Sequence, residues 1–161
     1  MKIINLSQAL KQKNRLAGEI ARLRDIVQRE NSHNEKTPVR ADVHATFDSL
    51  VAKSRELALL KGAISIANAG ASDIAQGIYV KLHLQAELRG LIKFVEGLPT
   101  KEGEDSGRLG FLRDERVVTV LAAEIKRDEI DTLRAKFQRE IESLQDAIDA
   151  FNSEARLEFA D

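Results

Sequence analysis

Three histidines, His33, His44 and His83, are the residues best suited to metal or proton chemistry in this chain. No two of them stand four residues apart, the spacing that presents two imidazole nitrogens from one helical face. The chain has no cysteine, which removes thiolate ligands, disulfides and thiol nucleophiles together. A structural zinc site is therefore not expected. His83 reads as a polar residue of a helix and His44 as a first-turn residue beside Asp42. Paired acids come next. Glu124, Asp128 and Asp131 follow steps of four and three, so a helix through them would gather three carboxylates, a trio able to hold magnesium if other ligands joined it. Their alternation with Lys126 and Arg127 favours a solvated acidic face instead. Glu140, Glu142, Asp146 and Asp149 read the same way.

The glycine-containing run Gly103-Glu104-Asp105-Ser106-Gly107-Arg108-Leu109-Gly110 lacks the Gly-Lys-Ser/Thr ending of a phosphate loop and carries two carboxylates where phosphate would be repelled. There is no Gly-x-Ser-x-Gly nucleophile elbow, and Ser106 has no histidine near it in sequence. No catalytic, cofactor-binding or metal site is expected. The remaining chemistry is positive charge. Lys11, Lys13, Arg15, Arg22, Arg24 and Arg29 make the first helix basic, and a long basic helix can lie along phosphates. Arg22, Arg24 and Arg29 are the residues this reading would use. No aromatic stacking surface, zinc finger or helix-turn-helix accompanies them.

Long amphipathic helices must position all of these residues. The first begins at Asn5, which with Gln8 has capping-box spacing. Its stripe runs through Leu6, Leu10, Leu16, Ile20, Leu23 and Val27, with Lys13 interrupting the seam. Asn31 to Pro38 reads as a loop. A second helix, capped by Asp42, carries Val43, Phe47, Leu50, Ser54, Leu57, Lys61, Ile64 and Asn68 in alternating steps of four and three. Ser54 and Lys61 in that seam argue against an uninterrupted zipper and for a short bundle whose seam reaches an edge. Gly70 suits a left-handed helix end. A third helix is expected from about Ile78 to Gly97, and residues 99–110 are expected to form a flexible loop. Val117 to Leu121 has strand composition. A last helix over about Ala122 to Asn152 carries Ile130, Leu133, Phe137, Ile141, Leu144, Ile148 and Phe151. Leu157-Glu158-Phe159 is a candidate partner strand for 117–120.

The expected fold is thus mainly α: an antiparallel, coiled-coil-like bundle of long helices with a small two-stranded β patch, forming one elongated domain over 1–161. Composition agrees. Of 161 residues two are proline, and Lys+Arg 25 nearly balances Asp+Glu 26. The balance hides a gradient. Residues 1–41 hold nine basic and four acidic side chains, and residues 122–161 hold six basic and eleven acidic. Such ends can attract one another within a chain or across a dimer. No run approaches the roughly 20 apolar residues of a membrane span, and Met1-Lys2-Ile3-Ile4-Asn5 shows no signal-peptide pattern. A cytoplasmic location is expected, with no membrane partner.

The order of these features resembles a small bacterial family of uncharacterised helical proteins, some members of which carry the label septicolysin. The resemblance covers most of the chain. It rests on the Met1-Lys2 start, the junction Ser65-Ile66-Ala67-Asn68-Ala69-Gly70-Ala71-Ser72, the run Val117-Val118-Thr119-Val120, and Ile148, Asn152 and Leu157-Glu158-Phe159 near the end. Family members often read Ile-Asn-x-x-Asn-Ser at the junction, from which Ala67, Ala69 and Gly70 depart, and they carry a tryptophan that is absent here. The label implies pore formation, but the chain has no recognisable insertion segment, so that activity is not carried over. The family implies no catalytic residues. The function expected is a self-associating helical scaffold or protein-interaction protein, with a homodimer favoured. Leu50, Leu57, Ile64, Leu133, Phe137, Ile141 and Leu144 supply its helix-packing or interface contacts. Nucleic-acid binding through the first helix is the alternative.

Overall fold

The computed structural model describes residues 4–70, 73–106 and 118–155. Its first helix, α1 (Leu6–Glu30), starts where sequence places it. The Asn5 side chain accepts from the Gln8 N–H at 2.9 Å, and the Gln8 side chain accepts from the Asn5 N–H at 3.1 Å. Such a cap is worth about 1 kcal/mol because it satisfies donors that the helix leaves open. Asp42 caps α2 (Val43–Ala69) through the Ala45 N–H, and Gly70, at φ 60°, closes it in the left-handed conformation. Two further helices follow, α3 (Asp73–Glu96) and α4 (Arg127–Glu154).

The four helices form an antiparallel bundle, α1 on α2, α2 on α3 and α3 on α4. Glu19 with Lys53 and Glu30 with the Arg40 N–H just before α2 set α1 against α2, and Ser65 with His83 and Lys61 with Glu87 set α2 against α3. Gln85 with Gln145 and Glu96 with Arg134 do the same for α3 and α4. α2 and α3 form the centre. α1 also touches α3 where the Arg24 guanidinium lies 5.6 Å over the Phe94 ring, and α4 also touches α2 through Arg55 and Glu140. α1 and α4 thus occupy opposite flanks of the central pair. One apolar core runs through all four helices, including Leu16, Leu50, Leu88, Leu91 and Phe137. Helices of this length span about 40 Å.

The β patch has three strands rather than two. β1 (Ser32–Asn34), β2 (Gly103–Ser106) and β3 (Val118–Ala123) form an antiparallel sheet in the order β1-β3-β2. β1 arises from residues read as loop, and β2 from the segment read as a flexible loop, so only part of 99–110 is irregular before residue 107. Residues 107–110, and Leu157-Glu158-Phe159 as a candidate strand, lie outside the described residues. β3 carries the chain to Ala123, so α4 starts five residues later than the periodicity suggests.

Asn31 explains why so short a strand as β1 forms. It is fully buried at the end of α1. Its side-chain amide donates to the carbonyls of Pro99 (2.8 Å) and Ile125 (3.0 Å), and its side-chain oxygen accepts from the Ile125 N–H (2.8 Å). Its own carbonyl accepts from the Glu124 N–H. One residue thereby ties the end of α1, the exit of α3 and the β3–α4 junction, satisfying backbone groups that would otherwise be buried without partners.

Candidate functional site

The two ends of the bundle differ in kind. The sheet end is polar. There His33 directs Nε2 at the Glu124 carboxylate (2.9 Å) and Nδ1 at the Asn34 carbonyl (3.1 Å). Both ring nitrogens face acceptors, which the imidazolium alone can satisfy together. The Asn34 carbonyl first, and Glu124 second, accordingly raise the His33 pKa above its ordinary value. Glu124 also lines an open cavity of about 390 Å³ with Val39, Arg40, Ala41, Asp42 and Val43. His44 reaches Glu129 at 3.2 Å nearby. Glu124 precedes α4 and is engaged by His33, so the carboxylate trio expected with Asp128 and Asp131 is not one helical face. No group of three metal-ligating side chains gathers among the described residues.

Midway towards the other end, α2 and α3 share a partly buried polar cluster. Ser65 Oγ lies 3.0 Å from His83 Nε2, and Lys61 Nζ donates to Glu87 at 2.6 Å. Burial, and secondarily the Lys61 charge, pull the His83 pKa down. A hydroxyl beside a neutral imidazole is the start of a nucleophile–base pair. Glu87 is committed to Lys61 rather than the ring, and the backbone donors of both helices are spent in their ladders, so neither an orienting acid nor an oxyanion hole completes it. The cluster reads as an interhelical polar tie. Lys61, expected at a seam edge, is held inward by Glu87. Ser54, expected to reach an edge too, is fully buried and its hydroxyl has no partner.

The end away from the sheet is apolar where α2 and α3 form it, with Lys11 of α1 and Asp146 and Asp149 of α4 exposed on its flanks. Leu6, Leu10, Leu59 and Leu82 are the exposed large hydrophobics among the described residues, Leu59 being 59% exposed. The antiparallel pairing of α1 with α2 brings Leu6 and Leu10 to the half of the bundle that holds Leu59 and Leu82. An apolar groove of about 200 Å³ opens beside Leu59, floored by Ala58, Val80 and Leu84 and rimmed by Arg55. Arg55 donates to Glu140 of α4 at 2.7 Å along the groove's edge, and this contact holds the Glu140 carboxyl below its usual range. At the groove floor the two helices approach closely: a Cβ on Gly62 would stand 2.5 Å from Val80 Cγ2. Sequence offers a signal for this end that helical periodicity hides. Residues 57–86 carry three charged side chains in thirty, Lys61, Asp73 and Lys81, and Lys61 is already paired.

The residues proposed from sequence separate accordingly. Leu50, Leu57, Ile64, Phe137 and Ile141 are buried, and Leu133 and Leu144 are half-buried against the same core. All seven pack helices within one chain, and a surface for a second molecule has to be sought elsewhere. Arg22 and Arg29 are exposed on α1. Arg24 does not join them: it packs towards α3, with its Nε buried and unpaired. No helix among the described residues is long and apolar enough to cross a membrane. Comparison with known proteins adds no relative: no family model, curated protein or solved structure matches the chain.

Proposed function

We propose that this protein is a helical scaffold that associates with itself, as a dimer, through the apolar end of its bundle. The observation that carries the reading is Leu59, 59% exposed at the rim of an apolar groove and within thirty consecutive residues that hold three charges. A single exposed leucine is ordinary, but one that stands beside an apolar groove in a charge-poor stretch marks an interaction site. Leu59 stands on the rim of the groove formed by Ala58, Val80 and Leu84. A knob beside its own hole suits a two-fold contact, in which each Leu59 enters the partner's groove. Burying such a side chain fully is worth about 1.5–3 kcal/mol, and the two-fold counts each contact twice.

Light scattering tests this directly. The wild-type chain is expected to scatter as a dimer at tens of micromolar, and Leu59→Glu as a monomer with unchanged helical circular dichroism. A monomeric wild type at that concentration contradicts the proposal. The second reading, nucleic-acid binding by α1, draws support from the exposed Arg22 and Arg29. It loses Arg24 and gains no stacking surface.

A further inference from the structure

The outward faces of the two flanking helices carry opposite charge. On α1, Lys11, Arg15, Arg22 and Arg29 are exposed, with Asp25 as the opposing acid on the same side. On α4, Asp128, Asp131, Glu142, Asp146 and Asp149 are exposed, with Lys136 and Arg139 as opposing bases; Arg127 stands at the start of the helix and Arg134 is paired with Glu96. Glu19, which faces α2, is already engaged by Arg15 and Lys53. Lys11 and Arg22 have no ion pair among the described residues, nor do Asp131 and Asp146. The charge gradient along the chain is thus a charge separation across the bundle, and α2 and α3 keep the two flanks from neutralising each other.

We propose that α1 of one molecule pairs with α4 of a second copy, joining copies flank to flank by electrostatic complementarity. His44 with Glu129 and Arg55 with Glu140 show that α2 and α4 run parallel. α1 is antiparallel to α2, so α1 and α4 are antiparallel in the molecule and remain so between copies set side by side. In that arrangement a register with Arg29 opposite Asp128 also sets Arg15 opposite Glu142 and Lys11 opposite Asp146. Arg139 then meets Gly18, where it encounters no like charge. Because the flanks lie on opposite sides, one two-fold axis cannot form both pairings at once. The contact is heterologous: every copy added leaves a free α1 at one edge and a free α4 at the other, so the assembly extends. Its apolar residues are small ones such as Ala21 and Ala135, unlike the surface around Leu59, and salt screens it.

The test is mass by light scattering or sedimentation on the full chain at about 20 mM and about 500 mM NaCl. The wild type is expected to have a larger weight-average mass at low salt. Lys11→Glu with Arg22→Glu, or Asp131→Lys with Asp146→Lys, each gives a molecule with two like-charged flanks and abolishes the salt-dependent increase. Mixing the two variants in equal amounts restores it, because negative flanks then meet positive ones. A wild-type mass equal at both salts, or reversed variants that grow as the wild type does, overturns the proposal. So does binding of a short single-stranded oligonucleotide by the basic flank with no change of protein mass. The high-salt mass alone reports the apolar dimer, so failure of either contact is read separately.

Discussion

Replacing Asn31 by alanine removes three side-chain hydrogen bonds made by a residue that is itself fully buried. The carbonyls of Pro99 and Ile125 lose their donor and the Ile125 N–H loses its acceptor, at contacts of 2.8 to 3.0 Å. A buried backbone group left unpaired costs about 1–3 kcal/mol. Pro99 is itself exposed and its carbonyl can recover water, so the sum for the site is about 3–5 kcal/mol. That is a large share of the roughly 5–15 kcal/mol that holds a domain folded. Asn31→Asp should be at least as damaging at neutral pH. It keeps the acceptor for Ile125 N–H but sets a carboxylate against two carbonyl oxygens. Urea unfolding followed by circular dichroism measures the loss, and hydrogen exchange at the Ile125 amide reports whether the tie has opened. A loss under about 1 kcal/mol with Ile125 still protected would refute the view that Asn31 fastens the sheet end.

Other perturbations test other parts of the structure. Ser54→Ala deletes a buried hydroxyl that has no partner and improves helix propensity, so the urea midpoint should rise, by about 1 kcal/mol in stability; a fall would show that the hydroxyl is bonded. Gly62→Ala gains helix propensity but drives a methyl into Val80, and a net loss of about 1–3 kcal/mol is expected from overpacking. Thermal unfolding checks it, and a stabilised variant would mean that α2 and α3 are not in close contact there. His33 has a native pKa raised above its unfolded value, so its contribution is complete below the ordinary value of 6.5 and is lost as pH rises through the native pKa. Stability measured across that window should fall in the wild type and fall less in His33→Gln; parallel curves would contradict the link to Glu124 and Asn34.

Local rules were sufficient for the helices. Asn5 with Gln8, Asp42 and Gly70 mark helix ends by chemistry confined to a few neighbouring residues, and the step of three and four fixes which side of each helix is buried. The sheet was beyond that reach. β1 is three residues long and owes its place to Asn31, whose partners lie 68 and 94 residues away. Nothing in the composition of Ser32-His33-Asn34 indicates a strand. Ser54 and Lys61 look alike as polar interruptions of a seam, yet one is buried without a partner and the other pairs with Glu87. Only the neighbouring helix decides between them. The groove beside Leu59 is hidden from helical periodicity, because Leu59 falls off the stripe of α2. The shortage of charge over residues 57–86 identifies the surface without any reference to periodicity. Arg22, Arg24 and Arg29 show the converse: three arginines of one helix read as a single patch, although helical geometry turns Arg24 inward.

The claim that the apolar end brings two molecules together is tested most directly by comparing wild type with Leu59→Glu in sedimentation equilibrium at about 500 mM NaCl, where contacts between exposed charges are screened. A wild-type dimer and a folded monomeric variant are predicted. A monomeric wild type, or a variant that remains as dimeric as the wild type, would contradict the account.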